Sequence, residues 1–270
     1  MQIIIFNKIK ALFLFILAIS LSQTCLGQGN ALSSKNPAAD LQTLTNNYMT
    51  WYTYTYDSIR LCNDFIGLDV DSVKMDRFFF LEKLRIDDVF AFKTGTMQGE
   101  DIYKLFPLTT DNESIKATIK EMAETEIRHY KMEGTAMPAF SFTDLNGNNY
   151  DNSSTKGKLV VLKCWFIHCV TCVKEFPELN KLIDSYKNND DILFVSLASD
   201  NKDDLVKFLK AKKFKYAVVP EMSGFMNDRL YITAYPTHLL IGRDGKIIKI
   251  TNRIEDLVPF LGKALTMSMN

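Results

Sequence analysis

The feature that most constrains this chain is a pair of cysteines, Cys169 and Cys172, placed where an apolar run gives way to a helical pattern. The run "KLVVLKCWF", residues 158–166, reads as a buried strand. Residues 169–186 read as helix. A strand that feeds a helix puts the first sulfur at the helix N-terminus. Free backbone N–H groups and the helix dipole there favour the thiolate, which makes it a nucleophile near neutral pH. The second sulfur sits one turn inside, less exposed and within reach, and is placed to attack a mixed disulfide. The spacing therefore marks Cys169 as nucleophile and Cys172 as resolving thiol.

The surroundings from residue 135 onward fit that reading. "FSFTDLNGNNYD" is a hairpin pattern around Asn146-Gly147. A second buried strand is expected at 191–198, an amphipathic helix at 202–214 and a short strand in "KYAVVP". A hairpin turning at Asp244-Gly245 over 237–251 and a closing helix over 254–267 follow. This order gives an α/β domain, a mixed sheet covered by helices on both faces.

Residues 28–134 carry no chemistry motif and read as a separate small α+β domain. The ring-and-polar alternation of "TWYTYTYDSIRL", 50–61, predicts a half-buried strand. A helix is expected at 72–86, then strands at 89–94 and 101–108 around a turn at Gly95 to Gly99. The clearest helix is 112–132, with Ile115, Ile119, Met122, Ile127 and Tyr130 on one face. Asp111 or Asn112 caps its start and Gly134 suits its end.

Residues 1–27 differ from the rest. Lys8 and Lys10 precede the uncharged run "ALFLFILAISL", which ends in small and polar residues, the order of a secretory signal peptide. The run falls short of the ~20 residues needed to span a bilayer. Cleavage after Gly27 places Cys25 at the −3 position. Cys25 is also a candidate for lipidation, although Ser22-Gln23-Thr24 match a lipoprotein signal poorly. An exported, periplasmic location follows, with membrane anchoring through an uncleaved N-terminal helix or a lipidated Cys25 as the alternative, and disulfides persist there. The 32 basic and 32 acidic residues balance, which argues against nucleic acid as a partner.

Several further motifs agree. "MPAFSFTDLNGNNY", "VVLKCWFIHCVTC", "VKEFPELNKL" and Tyr235-Pro236-Thr237 before "LLIGRDGKIIK" resemble the TlpA-like branch of the thioredoxin superfamily, over about residues 135–270. The resemblance implies a thioredoxin-like fold and thiol:disulfide exchange with disulfide-containing or dithiol protein substrates. It also implies a membrane electron-transfer partner and brings no cofactor or metal requirement. It further implies that Trp165 packs under the site, that Pro177 kinks the helix, and that Pro236 is cis and faces the cysteines between Tyr235 and Thr237. Glu175 matches a carboxylate held near the sulfurs that shuttles the resolving thiol's proton.

The departures are informative. Val170 and Thr171 stand between the cysteines where proline is frequent, so the redox direction is open. Lys163 replaces an Asp or Asn six residues before the nucleophile. As a buried lysine it serves as base or thiolate-stabilising cation; as an ordinary one it snorkels or pairs with a glutamate. His168 either tunes the thiolate or fills a surface aromatic position. Cys164 and Cys62 are expected as buried free thiols. A rival reading takes Cys169, Cys172, His168 and the distant His238 as soft ligands for copper or zinc, but a second cysteine pair is missing. A peroxidase reading lacks its upstream Pro and Thr, since Leu162 and Phe166 stand there. Covalent haem is excluded because Val173 follows Cys172.

Overall fold

The computed structural model describes residue 41 and residues 43–266, so the expected leader, Cys25 and most of the segment before residue 47 lie outside the described residues. The first long element corrects a sequence expectation. Tyr48–Ser58 is a helix (α1), not a strand. Asn47 caps it by accepting the Thr50 N–H, and Trp51 and Thr55, one turn apart, form its buried side. The rings of Tyr48, Tyr52 and Tyr56 recur every fourth residue and stack on one another. A ring at every second position satisfies both periods, and Trp51 burial selects the helix.

Phe65–Leu68 (β1) and Lys74–Met75 (β2) follow, then the helix Arg77–Ile86 (α2), which starts at the Asp76 cap, later than expected. Val89–Met97 (β3) and Glu100–Pro107 (β4) form a hairpin. Its turn is tighter than expected: β3 runs through Gly95 on a register shift and reverses at Gln98-Gly99. The four strands lie in the order β2-β1-β4-β3, with β1 and β4 parallel. Glu113–Met132 (α3) is capped by Asn112 and buries Ile115, Ile119, Ala123 and Ile127. Tyr130 is exposed, contrary to expectation, because His129 takes the inward position. Gly134, at φ +80°, turns the chain out of α3, a conformation that glycine adopts without Cβ strain.

The second half matches the expected order. Ser141–Thr143 (β5) and Asn149–Asp151 (β6) form the small hairpin. Leu159–Trp165 (β7) is buried at every residue, as a central strand must be. Val170–Lys174 (α4) and Phe176–Ser185 (α5) come next. The single expected helix is thus two, broken at Glu175 with Pro177 in the first turn of α5. A proline there loses no intrahelical bond, whereas inside a continuous helix it would. Ile192–Ala198 (β8), Lys202–Ala211 (α6), Ala217–Val219 (β9), a π-helical turn at Phe225–Arg229, Thr237–Ile241 (β10), Ile247–Thr251 (β11) and Ile254–Thr266 (α7) complete the chain.

The main sheet has the order β11-β10-β7-β8-β9, with β7, β8 and β9 parallel and β10 antiparallel to both neighbours. Alternate β7 residues serve opposite faces. Leu159, Val161 and Trp165 join one apolar cluster with both cysteines of the pair, while Val160, Leu162 and Cys164 join the other. Cys164 is a buried packing thiol, and its burial raises the pKa to about 12. Cys62 is likewise buried and free.

The two halves lie in one compact unit and are joined by charged contacts. Arg77 reaches Glu133 (3.1 Å) and Glu126 (3.4 Å), and Lys249 of β11 reaches Glu133 (3.1 Å). Arg60 meets Asp256 at 3.3 Å. After Gly134, the chain pairs with β11 through Gly134 N–H to Ile247 O (2.7 Å).

Candidate active site

The cysteine pair sits at the C-terminal end of β7. Cys169 and Cys172 are joined in a disulfide. Cys169 occupies the cap position of α4 and is 7% exposed, whereas Cys172 is fully buried. The Cys172 N–H donates to the Cys169 sulfur at 3.2 Å, a bond that also favours negative charge on that sulfur when the disulfide opens. The loop before the pair is fixed by backbone bonds. Cys169 N–H donates to Phe166 O (3.1 Å), and Ile167 N–H donates to the Asp200 carboxylate (2.8 Å). Cys169 is thus nearly buried and Cys172 is enclosed completely behind it.

Beneath the pair lies an aromatic bed. Trp165 is fully buried and meets Phe176 edge-on at 5.0 Å, while Phe176 stacks on Phe214 at 3.9 Å. Burying an indole of this size contributes about 2–3 kcal/mol of apolar stabilisation. The disulfide thus packs on a cluster of buried and half-buried rings that includes Trp165.

Pro236 enters from β10. Thr237 lies opposite Cys164 on β7, so Pro236 falls at the same end of the sheet as the cysteines. The Tyr235–Pro236 peptide is cis, as the motif implies. Tyr235 packs edge-on against Phe166 at 5.3 Å, and Thr237 donates to Ala234 O at 2.7 Å. His168 is exposed beside the pair, next to Val170, which is 67% exposed.

The departure at Lys163 resolves into a pairing. Lys163 is completely buried, so it does not snorkel; its ammonium forms an ion pair with Glu175 Oε2. His238, opposite Lys163 in the β10–β7 register, brings Nε2 to the same oxygen at 3.1 Å. The Ile254 N–H donates to Glu175 Oε1 at 3.4 Å. Glu175 reaches this position because the helix breaks there, one turn after Cys172. Burial raises its pKa, but His238 and Lys163 outweigh that and hold it at about 2. Burial lowers the pKa of Lys163 against the pull of Glu175. Burial and the nearby Lys163 charge lower that of His238. An ionised carboxylate only accepts hydrogen bonds, so Nε2 of a neutral His238 carries the proton, and Nδ1 is left buried without a partner.

His238 is the residue whose role sequence reasoning missed. It was named only within the rival metal reading, and its ring nitrogen is engaged with Glu175 while His168 is exposed. Among the described residues no group of three or more His, Cys, Asp or Glu side chains is arranged to hold a metal ion. The usable signal was its place two residues after Pro236, on the strand paired with Lys163.

A mixed five-stranded sheet, a disulfide-forming CxxC where β7 enters a helix, and a cis-proline strand at the same sheet end define a thioredoxin-fold thiol-disulfide oxidoreductase. Comparison with known proteins agrees. Residues 132–263 match the Redoxin family. The thiol-disulfide oxidoreductase ResA of Bacillus thuringiensis is 36% identical over 121 residues, 44% of this chain and 69% of that protein. ResA of Bacillus subtilis is 29% identical over 118 residues, 44% of this chain and 66% of that protein. The thioredoxin domain of a thiol-disulfide oxidoreductase from Bacteroides vulgatus is 27% identical with a TM-score of 0.44, covering 48% of this chain and 96% of that one. The chain belongs to the ResA-like thiol-disulfide oxidoreductases of the thioredoxin superfamily.

Proposed function

We propose that this protein is an exported reductase of protein disulfides, with Cys169 as attacking thiolate and Cys172 as resolving thiol. The observation that carries the reading is the Cys169–Cys172 disulfide itself, with Cys169 at the start of its helix and slightly exposed and Cys172 fully buried behind it. In the reducing direction the Cys169 thiolate attacks a substrate disulfide. A mixed disulfide forms and one substrate sulfur leaves. Cys172 then gives up its proton and attacks Cys169. The second substrate sulfur leaves and takes a proton, and two electrons have passed from the dithiol to the substrate. A membrane electron donor resets the pair. Oxidation of a dithiol runs the same steps in reverse.

The half-buried Tyr235 and the backbone beside Pro236 form the edge along which the substrate chain lies, with Thr237 buried behind it, and His168 with Val170 forms the surface beside the attacking sulfur. Trp165 supports the pair from below. Glu175 acts as a fixed carboxylate rather than a proton shuttle, since a group held at about 2 is too weak a base to take the proton of the Cys172 thiol. Lys163 and His238 hold it in that state. Export rests on the leader pattern of residues 1–27 and is tested by fractionating cells that express the tagged full chain.

The deciding experiment measures insulin disulfide reduction by the purified chain. Cys169→Ser abolishes turnover, and Cys172→Ser accumulates a mixed disulfide with the substrate. Turnover that persists in Cys169→Ser overturns the reading. Titration of the pair against glutathione fixes direction: a potential well below that of glutathione supports the reductase, and one well above it reverses the assignment.

A further inference from the structure

The turn between β11 and α7 touches three different structures with three consecutive residues. Asn252 Nδ2 donates to Pro236 O at 3.3 Å. The Arg253 guanidinium lies over the Tyr56 ring, 4.9 Å from its centre, and donates to Tyr56 O at 3.1 Å. The Ile254 N–H reaches Glu175. This turn therefore ties the proline edge and the carboxylate beneath the site to α1, the helix whose role the sequence left unassigned.

From Tyr56 a row of rings leads away from the site. Tyr56 stacks on Tyr52 at 6.4 Å, and Tyr52 stacks on Tyr48 at 5.7 Å. The far end is anchored, with the Tyr48 hydroxyl 3.3 Å from Thr118 of α3. Tyr52 and Tyr56 are 39% and 46% exposed, and Met49 beside them is 61% exposed. The row runs over eight residue-to-residue rises of helix, about 12 Å, the length of about four residues of extended chain. Tyrosines stacked on one another and held at both ends present apolar ring edges, with the hydroxyls of Tyr52 and Tyr56 beside them, at small conformational cost.

Resting on the reading that Pro236 borders the bound substrate, we infer that the Tyr48–Tyr52–Tyr56 row of α1 extends the substrate-binding edge and docks the extended polypeptide flanking the substrate's cysteine. Continuity sets the occupant. A chain lying along Pro236 meets Asn252 and Arg253 next, and beyond Arg253 it meets Tyr56. The half of the molecule that lacks chemistry would then choose among protein substrates by the residues near their disulfides.

The test uses the full chain with two disulfides. One is an unstructured peptide of about 12 residues, enough to run past the row, whose single cysteine is in mixed disulfide with glutathione. The other is glutathione disulfide, which is too short to reach α1. In the double variant Tyr52→Ser/Tyr56→Ser, the ratio of kcat/KM for the peptide to kcat/KM for glutathione disulfide falls about tenfold, through KM. Tyr52→Phe, which keeps the ring, retains most of the ratio. Thermal unfolding of the double variant confirms that it folds. If it does not, Tyr56→Leu, which keeps the apolar contact on the Arg253 stem but loses the ring, is measured instead and lowers the ratio by about threefold. An unchanged ratio in a folded variant overturns the docking role and leaves the oxidoreductase standing. A change in oligomeric state in the same variant assigns the row to a second copy of the chain and also overturns it. Absence of wild-type turnover on both disulfides instead overturns the underlying oxidoreductase reading.

Discussion

Lys163 and Glu175 form a buried ion pair, contributed by the central strand β7 and by the break between α4 and α5, one turn beyond the redox cysteines. Neither residue is placed by its own element alone. The lysine is on the strand face that packs toward the site, and the glutamate is turned inward because the helix is interrupted before Pro177. His238 from β10 closes the group on the same carboxylate oxygen. Three titratable side chains thus share one desolvated pocket with a net charge of zero when His238 is neutral.

Breaking that pair exposes its energetics. Lys163→Met leaves a buried carboxylate without its cation and lowers stability by about 3–5 kcal/mol. Adding Glu175→Gln to Lys163→Met removes the orphaned charge and restores most of the loss. A double-mutant cycle by chemical denaturation reads the coupling. Equal stability of single and double variants would show that the pair is not energetically closed.

His238 is predicted to stay neutral through the physiological range. Its burial and the charge on Lys163 lower its pKa, against the pull of Glu175. NMR titration of the imidazole should therefore show no protonation step between about pH 6 and 8. Lys163→Met removes one of the two depressing influences and shifts the step upward. An ordinary titration near 6.5 in the wild-type protein would contradict the buried neutral assignment.

Acid should unlock the site. The folded Glu175 pKa, about 2, lies below its ordinary value of 4.5. A depressed carboxylate contributes stability that is present above the ordinary value and is lost as pH falls toward the folded value. Denaturation midpoints measured from pH 5 to pH 2 should fall less steeply in Glu175→Gln than in the wild type. Parallel profiles would remove Glu175 from the acid response.

Much of this arrangement was legible in the sequence because local pattern and tertiary environment agreed. β7 is a run apolar at all but Lys163 and is buried at every position, and a cysteine pair that opens a helix directly after such a strand favours redox use over the metal reading. Lys163 and Glu175 were both flagged, and an unspecified glutamate partner stood among the readings of Lys163, although Glu175 was not named as that partner. α1 was not legible, because a tyrosine at every second residue also places one at every fourth, and only the burial of Trp51 and Thr55 separates the two periods. The role of His238 went unassigned for a different reason. Its partner lies 63 residues away and is reached only through the β10–β7 register. Tyr130 failed because the α3 stripe drifts, so that His129 takes the inward place.

A second titrating centre lies where the two halves meet. Glu126 of α3 faces Arg77 of α2 at 3.4 Å, with Glu133, Lys249 of β11 and His129 beside it. Burial raises its pKa to about 7; Glu133 adds to the rise, while Arg77 and Lys249 oppose it. A raised carboxyl contributes stability that is complete below the ordinary value of 4.5 and is lost as pH rises through about 7. His129, buried and lowered to about 3, contributes stability that is present above 6.5 and is lost as pH falls toward 3. The two groups therefore act in opposite directions on the acid side, and a difference profile is needed to separate them. Glu126→Gln keeps the shape and the hydrogen bond to Arg77 but cannot ionise. Relative to the wild type it should gain up to about 2 kcal/mol between pH 5 and pH 8, read as a divergence of urea midpoints measured at each pH. A constant offset across that range would show that Glu126 titrates as an ordinary carboxyl and that the junction between the halves is insensitive to pH.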